Sequence, residues 1–149
     1  MFTKEVIELA KPCVEAIKKI SKAKGKEWKW KPEVGEWCLW KKHPHLVLEP
    51  EGQDNWFTIY VDKDEAYYHR LVVPLKRCIP LLHWEKLEGI LEDLGYFLEV
   101  EKIGCEDCEC LILKGTGDPD TECIAVGRGK TRQEAVMRAI IKLGEEIGK

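Results

Sequence analysis

The sequence predicts an α+β fold: an antiparallel β-sheet with helices packed over it, a layered α/β sandwich whose C-terminal part runs α-β-β-β-α. Three observations carry this reading. The middle of the chain breaks into short β-type segments whose connections are too short for crossover helices. Two later stretches, 83–95 and 131–147, space their apolar residues at helical period. Three more strand-like segments lie between those helices. At 149 residues the chain suits one domain, 1–149. The alternative is a division into a helix plus β meander, 1–75, and an α-β-β-β-α part, 76–149.

Residues 3–22 form the first expected helix, with Thr3 before it and a stripe of Val6, Ala10, Val14 and Ile17. Pro12 falls inside, where a ring clashes with the preceding turn, so a kink or two pieces are expected. The connector KAKGKEWKWK is expected to run polar and extended to Pro32. EWCLW, HLVLE, WFTIYV and YYHRLVV then read as strands separated by HP, PEGQDN and DKDEA. In WFTIYV the set Phe57, Ile59 and Val61 alternates with Trp56, Thr58 and Tyr60, so both faces are apolar. HWEKLEGILEDLG is a helix with Trp84, Leu87, Leu91 and Leu94 on one face and Gly95 just past its end. YFLEVEKI, CECLILK and TECIAVG make a meander, the last two joined through GTGDPD. The closing helix carries a capping-box pattern, Thr131 with Glu134, and a buried set of Ala135, Val136, Ala139, Ile140, Leu143 and Ile147.

Composition narrows the classes. Charged residues at 34% beside 44% hydrophobic ones describe a folded chain rather than a disordered one. A net charge of -3 argues against a protein that wraps a polyanion. The charge is unevenly spread: residues 1–31 hold nine Lys against four Glu, and residues 83–110 hold nine acidic residues against two Lys. Solvation of two exposed helices and a dipolar surface both fit this. No basic start with a following apolar run opens the chain, and no apolar run reaches membrane-span length. A cytoplasmic location is expected, with no membrane partner and the seven cysteines as free thiols or metal ligands.

GCEDCEC, residues 104–110, concentrates three of those cysteines. With Cys123, the set Cys105, Cys108 and Cys110 has the spacing C-x2-C-x-C-x12-C, a fragment of a zinc-knuckle pattern. If 111–114 pair with 121–124, Cys123 lies opposite Ile112, on the face of Cys108 and Cys110. One residue of slip would undo this. Redox regulation is a second reading, against which the acidic neighbours Glu106, Asp107 and Glu109 count. The plain alternative places Cys110 and Cys123 in the core and Cys105 and Cys108 in a turn.

Three other groups stand out. His43 and His45, with Cys38 nearby, could present paired metal ligands, although the proline between them favours a turn. Trp28, Trp30, Trp37 and Trp40, interleaved with lysines, suit either base stacking or the sealing of a small core. GRGKTRQEA surrounds a helix start with Arg128, Lys130 and Arg132, and Arg138 follows, which suits nucleic-acid or anion binding. It lacks the spacing of a phosphate-binding GxxxxGK[ST] loop.

From Trp84 to Ile147 the order helix, three strands, helix, ending in GRGKTRQEAVMRA, resembles the double-stranded-RNA-binding domain. That resemblance implies phosphate contacts from basic residues at the last helix start, and Arg132 keeps one such position. KPEVGEWCLW, PLLHWEKLEGILEDLGY and GKTRQEAVMRAIIKLGEEI are similar to uncharacterised phage and prophage proteins of Gram-positive bacteria. This second resemblance implies an α/β layered fold and no established catalytic residues.

No nucleophile–base pair, carboxylate pair or cofactor motif appears in the sequence. The expected function is therefore a non-enzymatic binding or accessory protein of phage or prophage type with a protein partner. Nucleic-acid binding and zinc binding through the cysteine set are the alternatives.

Overall fold

The structure, a computed structural model, describes residues 2–62, 67–114 and 121–147. The expected loop segments 63–66 and 115–120 lie outside the described residues. The chain is an α+β fold with antiparallel sheets and helices packed over one of them, and it ends α-β-β-β-α. It divides into two compact units: Met1–Thr3 with Trp30–Leu82, and Lys4–Lys29 with His83–Lys149.

The first unit is a five-stranded antiparallel sheet. Its strands are β1 (Trp37–Trp40), β2 (His43–Pro50), β3 (Asn55–Asp62), β4 (Tyr67–Pro74) and β5 (Ile79–Leu81), in the order β4-β3-β2-β1-β5. Four strands follow one another as a meander, and a 3-10 turn, Leu75–Arg77, brings β5 back to pair with β1. One face carries the buried side chains Cys38, His45, Val47, Thr58 and Val73, which stand in neighbouring cross-strand rows. On the other face Phe2 meets Trp37 edge to face at 5.5 Å.

The hairpin between β1 and β2 turns at Lys41-Lys42, both with positive φ (51° and 70°), where a two-residue turn needs left-handed backbone. The sequence expected this break at His43-Pro44, and the structure corrects that. His43, Pro44 and His45 lie inside β2. The proline is tolerated because the β2·β3 ladder begins only at Leu46, so Pro44 pairs on one side alone, with Leu39.

The second unit holds α1 (Lys4–Ala23), α2 (Trp84–Asp93), β6 (Tyr96–Lys102), β7 (Cys108–Lys114), β8 (Glu122–Gly129) and α3 (Arg132–Ile147). The three strands pair in the order β6-β7-β8. α3 lies over this sheet and carries α1 against it, and it is buried at Ala135, Val136, Met137, Ala139, Ile140, Leu143 and Gly144. The crossing with α1 is close because both residues at it are small: a Cβ on Gly144 would stand 2.8 Å from the Ala16 Cβ.

α1 is one helix through Pro12, not two pieces. Pro12 is exposed, as is Glu8 one turn before it, so the carbonyl that loses its amide partner can be hydrated. Beyond Ala23 the helix closes through Gly25, whose φ of 73° lets the Gly25 amide reach Lys22 and the Lys26 amide reach Ser21. Leu87, Leu91 and Leu94 of the second expected helix are buried, and Gly95 follows with φ 92°.

Candidate binding face

One face of the β6-β7-β8 sheet is taken up by α3, which covers Cys108, Cys110, Ile112 and Ala125. Strand alternation sends the intervening residues to the opposite face, and the registers line them up in three rows. Phe97, Leu113 and Cys123 form the first row, Glu99, Leu111 and Val126 the second, and Glu101, Glu109 and Arg128 the third. Phe97 is 49% exposed and Val126 43%, while Leu111 and Leu113 are half-buried. Ile103, 46% exposed, follows at the end of β6, where its amide bonds the Asp107 carbonyl at 2.9 Å. Singly exposed apolar residues are ordinary, but four on adjoining rows of one sheet face form a patch.

The patch has an acidic end. Arg128 Nε donates to Glu109 Oε2 at 2.8 Å, which uses the one cation of the third row. Glu99 and Glu101 are exposed and have no ion pair among the described residues. The face therefore offers apolar surface flanked by unneutralised carboxylates.

The cysteine set is not brought together as a metal cage. β8 carries a bulge opposite Ile112/Leu113, so Cys123 stands opposite Leu113 rather than Ile112 and falls on the exposed face. Cys110 is fully buried on the other face, and burial first, then Glu88 and Cys123, push its thiol up to about 12. Cys108 is buried and Cys105 exposed in the preceding loop. Among the described residues no group of three or more His, Cys, Asp or Glu is placed to hold a metal ion.

The histidines form a ring cluster instead. Tyr60 stacks between His43 (5.9 Å) and His69 (4.9 Å) and touches His45 at 4.8 Å. His45 is 1% exposed and its Nδ1 lies 2.9 Å from Thr58 Oγ1. Burial, reinforced by His43, holds its imidazole down at about 4.

At the α3 start, Thr131 Oγ1 accepts from the Glu134 amide at 3.2 Å, and Glu134 Oε2 accepts from the Lys130 amide at 3.0 Å. The Lys130, Glu134 and Ala135 amides are thus bonded by residues of the helix start itself. Gln133 Oε1 accepts from the Trp84 amide at 2.7 Å and so holds the first turn of α2, which a lysine there could not do. Val136 is fully buried against the fold. Lys130, Arg132 and Arg138 remain exposed.

The tryptophans Trp28, Trp30, Trp37 and Trp40 are all half-buried, and the Trp28 amide donates to Ser21 Oγ at 3.3 Å. Sequence reasoning missed Phe97, Leu111, Leu113 and Val126. Their signal was an apolar residue in the second alternating set of each segment: Phe97 in YFLEVEKI, Leu111 and Leu113 in CECLILK, and Val126 in TECIAVG.

No family model, curated protein or solved structure matches the chain. Among the described residues no helix is long and apolar enough to cross a membrane.

Proposed function

We propose that the chain is a non-enzymatic accessory protein that binds a basic amphipathic helix on the open face of the β6-β7-β8 sheet. The observation that carries this is the row set of exposed Phe97 and Val126 with half-buried Leu111 and Leu113, beside the unpaired carboxylates of Glu99 and Glu101. Strand spacing and rise make the face about 14 Å by 23 Å. That is well below the roughly 800 Å² per partner of a standard globular interface. It does match the roughly 10 Å width of one helix, and a helix is what the opposite face of the same sheet already carries. A second copy of the chain would set the same carboxylates against its own apolar rows, which desolvates charge without compensation. A helix with leucines toward Phe97 and Leu111 and lysines toward Glu99 and Glu101 satisfies both halves.

The test is titration of the isotope-labelled chain with a synthetic Leu/Lys amphipathic helix and with its Leu/Glu counterpart, followed by amide chemical shifts. The Leu/Lys peptide should perturb residues 97–101, 109–113 and 124–128, and the combined Glu99→Lys, Glu101→Lys variant should lose the effect. Equal binding of both peptides, or perturbation confined to other elements, rejects the reading. The phage and prophage resemblance remains a proposal about biological setting.

A second reading, nucleic-acid binding, draws on the exposure of Lys130, Arg132 and Arg138. It requires duplex RNA binding that weakens steeply with salt and is lost in Lys130→Glu with Arg132→Glu. No mobility shift at low salt excludes it.

A further inference from the structure

In the first unit, Cys38 of β1 is 1% exposed and Cys78, half-buried, stands just before β5. The ladder pairs Cys38 with Pro80 and Leu39 with Ile79. Two residues before Pro80, Cys78 is thus the diagonal neighbour of Cys38 on the same face. The two thiols share a hydrogen bond. The Cys78 thiol donates onward to the Pro74 carbonyl at 3.3 Å. A Cys78 thiol that donates to Pro74 can still accept from the Cys38 S–H, so a bond running from Cys38 to Cys78 fits both contacts. Neither cysteine belongs to the binding face.

We propose that Cys38 and Cys78 form an oxidisable dithiol, with Cys78 the sulfur that reacts first with a hydroperoxide and Cys38 the one that resolves it. The assignment of roles follows from access and hydrogen bonding. Cys78 reaches solvent and Cys38 does not. The hydrogen bond from Cys38 lowers the Cys78 pKa against the opposing effect of burial, while the same bond, with burial, raises that of Cys38. The Cys78 thiolate attacks the O–O bond: an S–O bond forms, the O–O bond breaks, and the departing alkoxide or hydroxide takes up the released proton. Sulfur loses two electrons to the peroxide. Cys38 then attacks the sulfenic sulfur, an S–S bond forms, the S–O bond breaks, and the Cys38 proton leaves with hydroxide as water. Cross-strand diagonal neighbours stand about 7–8 Å apart, just beyond the usual Cα reach of a disulfide, so closure requires Cys78, which lies outside the ladder, to move inward. Closure would tie β5, held to β1 by three residue pairs, covalently to the sheet.

The test uses the full chain with the exposed Cys105 and Cys123 changed to Ser. After hydrogen peroxide, free thiols are alkylated, the chain is digested without reductant, and peptides are weighed. The expected product joins the Cys38 and Cys78 peptides, lighter by two hydrogens, and separates with dithiothreitol. In Cys38→Ser, Cys78 should stop at a sulfenic acid that dimedone traps. In Cys78→Ser, which changes only the half-buried partner, Cys38 should stay unoxidised. Cys78 advancing to sulfinic acid with Cys38 intact, both thiols remaining fully alkylatable on unfolding, or a bridge from Cys78 to a different cysteine overturns the proposal.

Discussion

Gly127 of β8 and Ala139 of α3 meet backbone to backbone: a Cβ built on the glycine would run into the Ala139 amide nitrogen. The Ala135 carbonyl closes the same space from one turn earlier. No rotamer change relieves a clash with helix backbone, so α3 would have to lift from the sheet. Gly127→Ala should therefore cost about 3 kcal/mol or more. Gly89, inside α2 with nothing within 4 Å of its Cβ position, gives the opposite sign. Gly89→Ala should stabilise by roughly 0.5–1 kcal/mol through helix propensity. Urea unfolding of the two variants checks both.

Acid should loosen the first unit through His45. Its folded pKa, about 4, lies below the ordinary 6.5, so the unfolded chain takes the proton first. Stability is then complete above pH 6.5, falls as pH drops toward 4, and levels once both states are protonated. The full loss is about 3 kcal/mol at 1.36 kcal/mol per pKa unit. Tyr60 packs against the His45 ring and itself stacks on His43 and His69, and none of these supplies a negative partner for an imidazolium. Urea midpoints at pH 7.5 and 4.5, read on tryptophan fluorescence, should differ in the wild type and converge in His45→Gln. A pH-independent midpoint in the wild type contradicts the assignment.

The α3 cap should respond to hydroxyl loss alone. Thr131→Ala removes the acceptor of the Glu134 amide and should cost about 1 kcal/mol, whereas Thr131→Ser should be nearly neutral. Thermal unfolding of the pair separates the hydrogen bond from the methyl group. Equal losses in both variants would assign the effect to packing.

The two faces of the C-terminal sheet should differ sharply in tolerance. Ile112 is fully buried beneath α3, and Ile112→Ala should cost about 2–5 kcal/mol. Phe97→Ser and Val126→Thr alter half-exposed side chains on the open face and should shift stability by no more than about 0.5 kcal/mol. Denaturant midpoints decide this. A large loss at Phe97 would make the open face part of the core rather than a binding surface.

Much of the fold was legible because its signals are local. The apolar period over 84–94, Gly95 after it, and Thr131 with Glu134 before the last helix depend on residues within a turn or two of one another. The strands from Trp37 to Val73 were equally readable as alternating segments, although Lys41-Lys42 escaped notice because lysine carries no turn preference and takes left-handed φ here only under the pull of the flanking strands. Pro12 misled because its cost depends on which side of the helix meets water, which periodicity alone does not weigh.

The candidate sites were mostly decided elsewhere. Sequence spacing placed Cys105, Cys108, Cys110 and Cys123 near one another along the chain, and one bulged residue in β8 sent Cys123 to the opposite face. Cys38 and Cys78, 40 positions apart, meet only because β5 returns to β1. By itself the sequence determined the helices and most of the strands, though not β5 (Ile79–Leu81) or the start of β2, since propensity, capping and turn chemistry act over a few residues. Only the tertiary structure decided which face of the β6-β7-β8 sheet is covered, which thiols touch and which histidine is buried, because register and strand order are set by contacts that the chain makes with distant parts of itself.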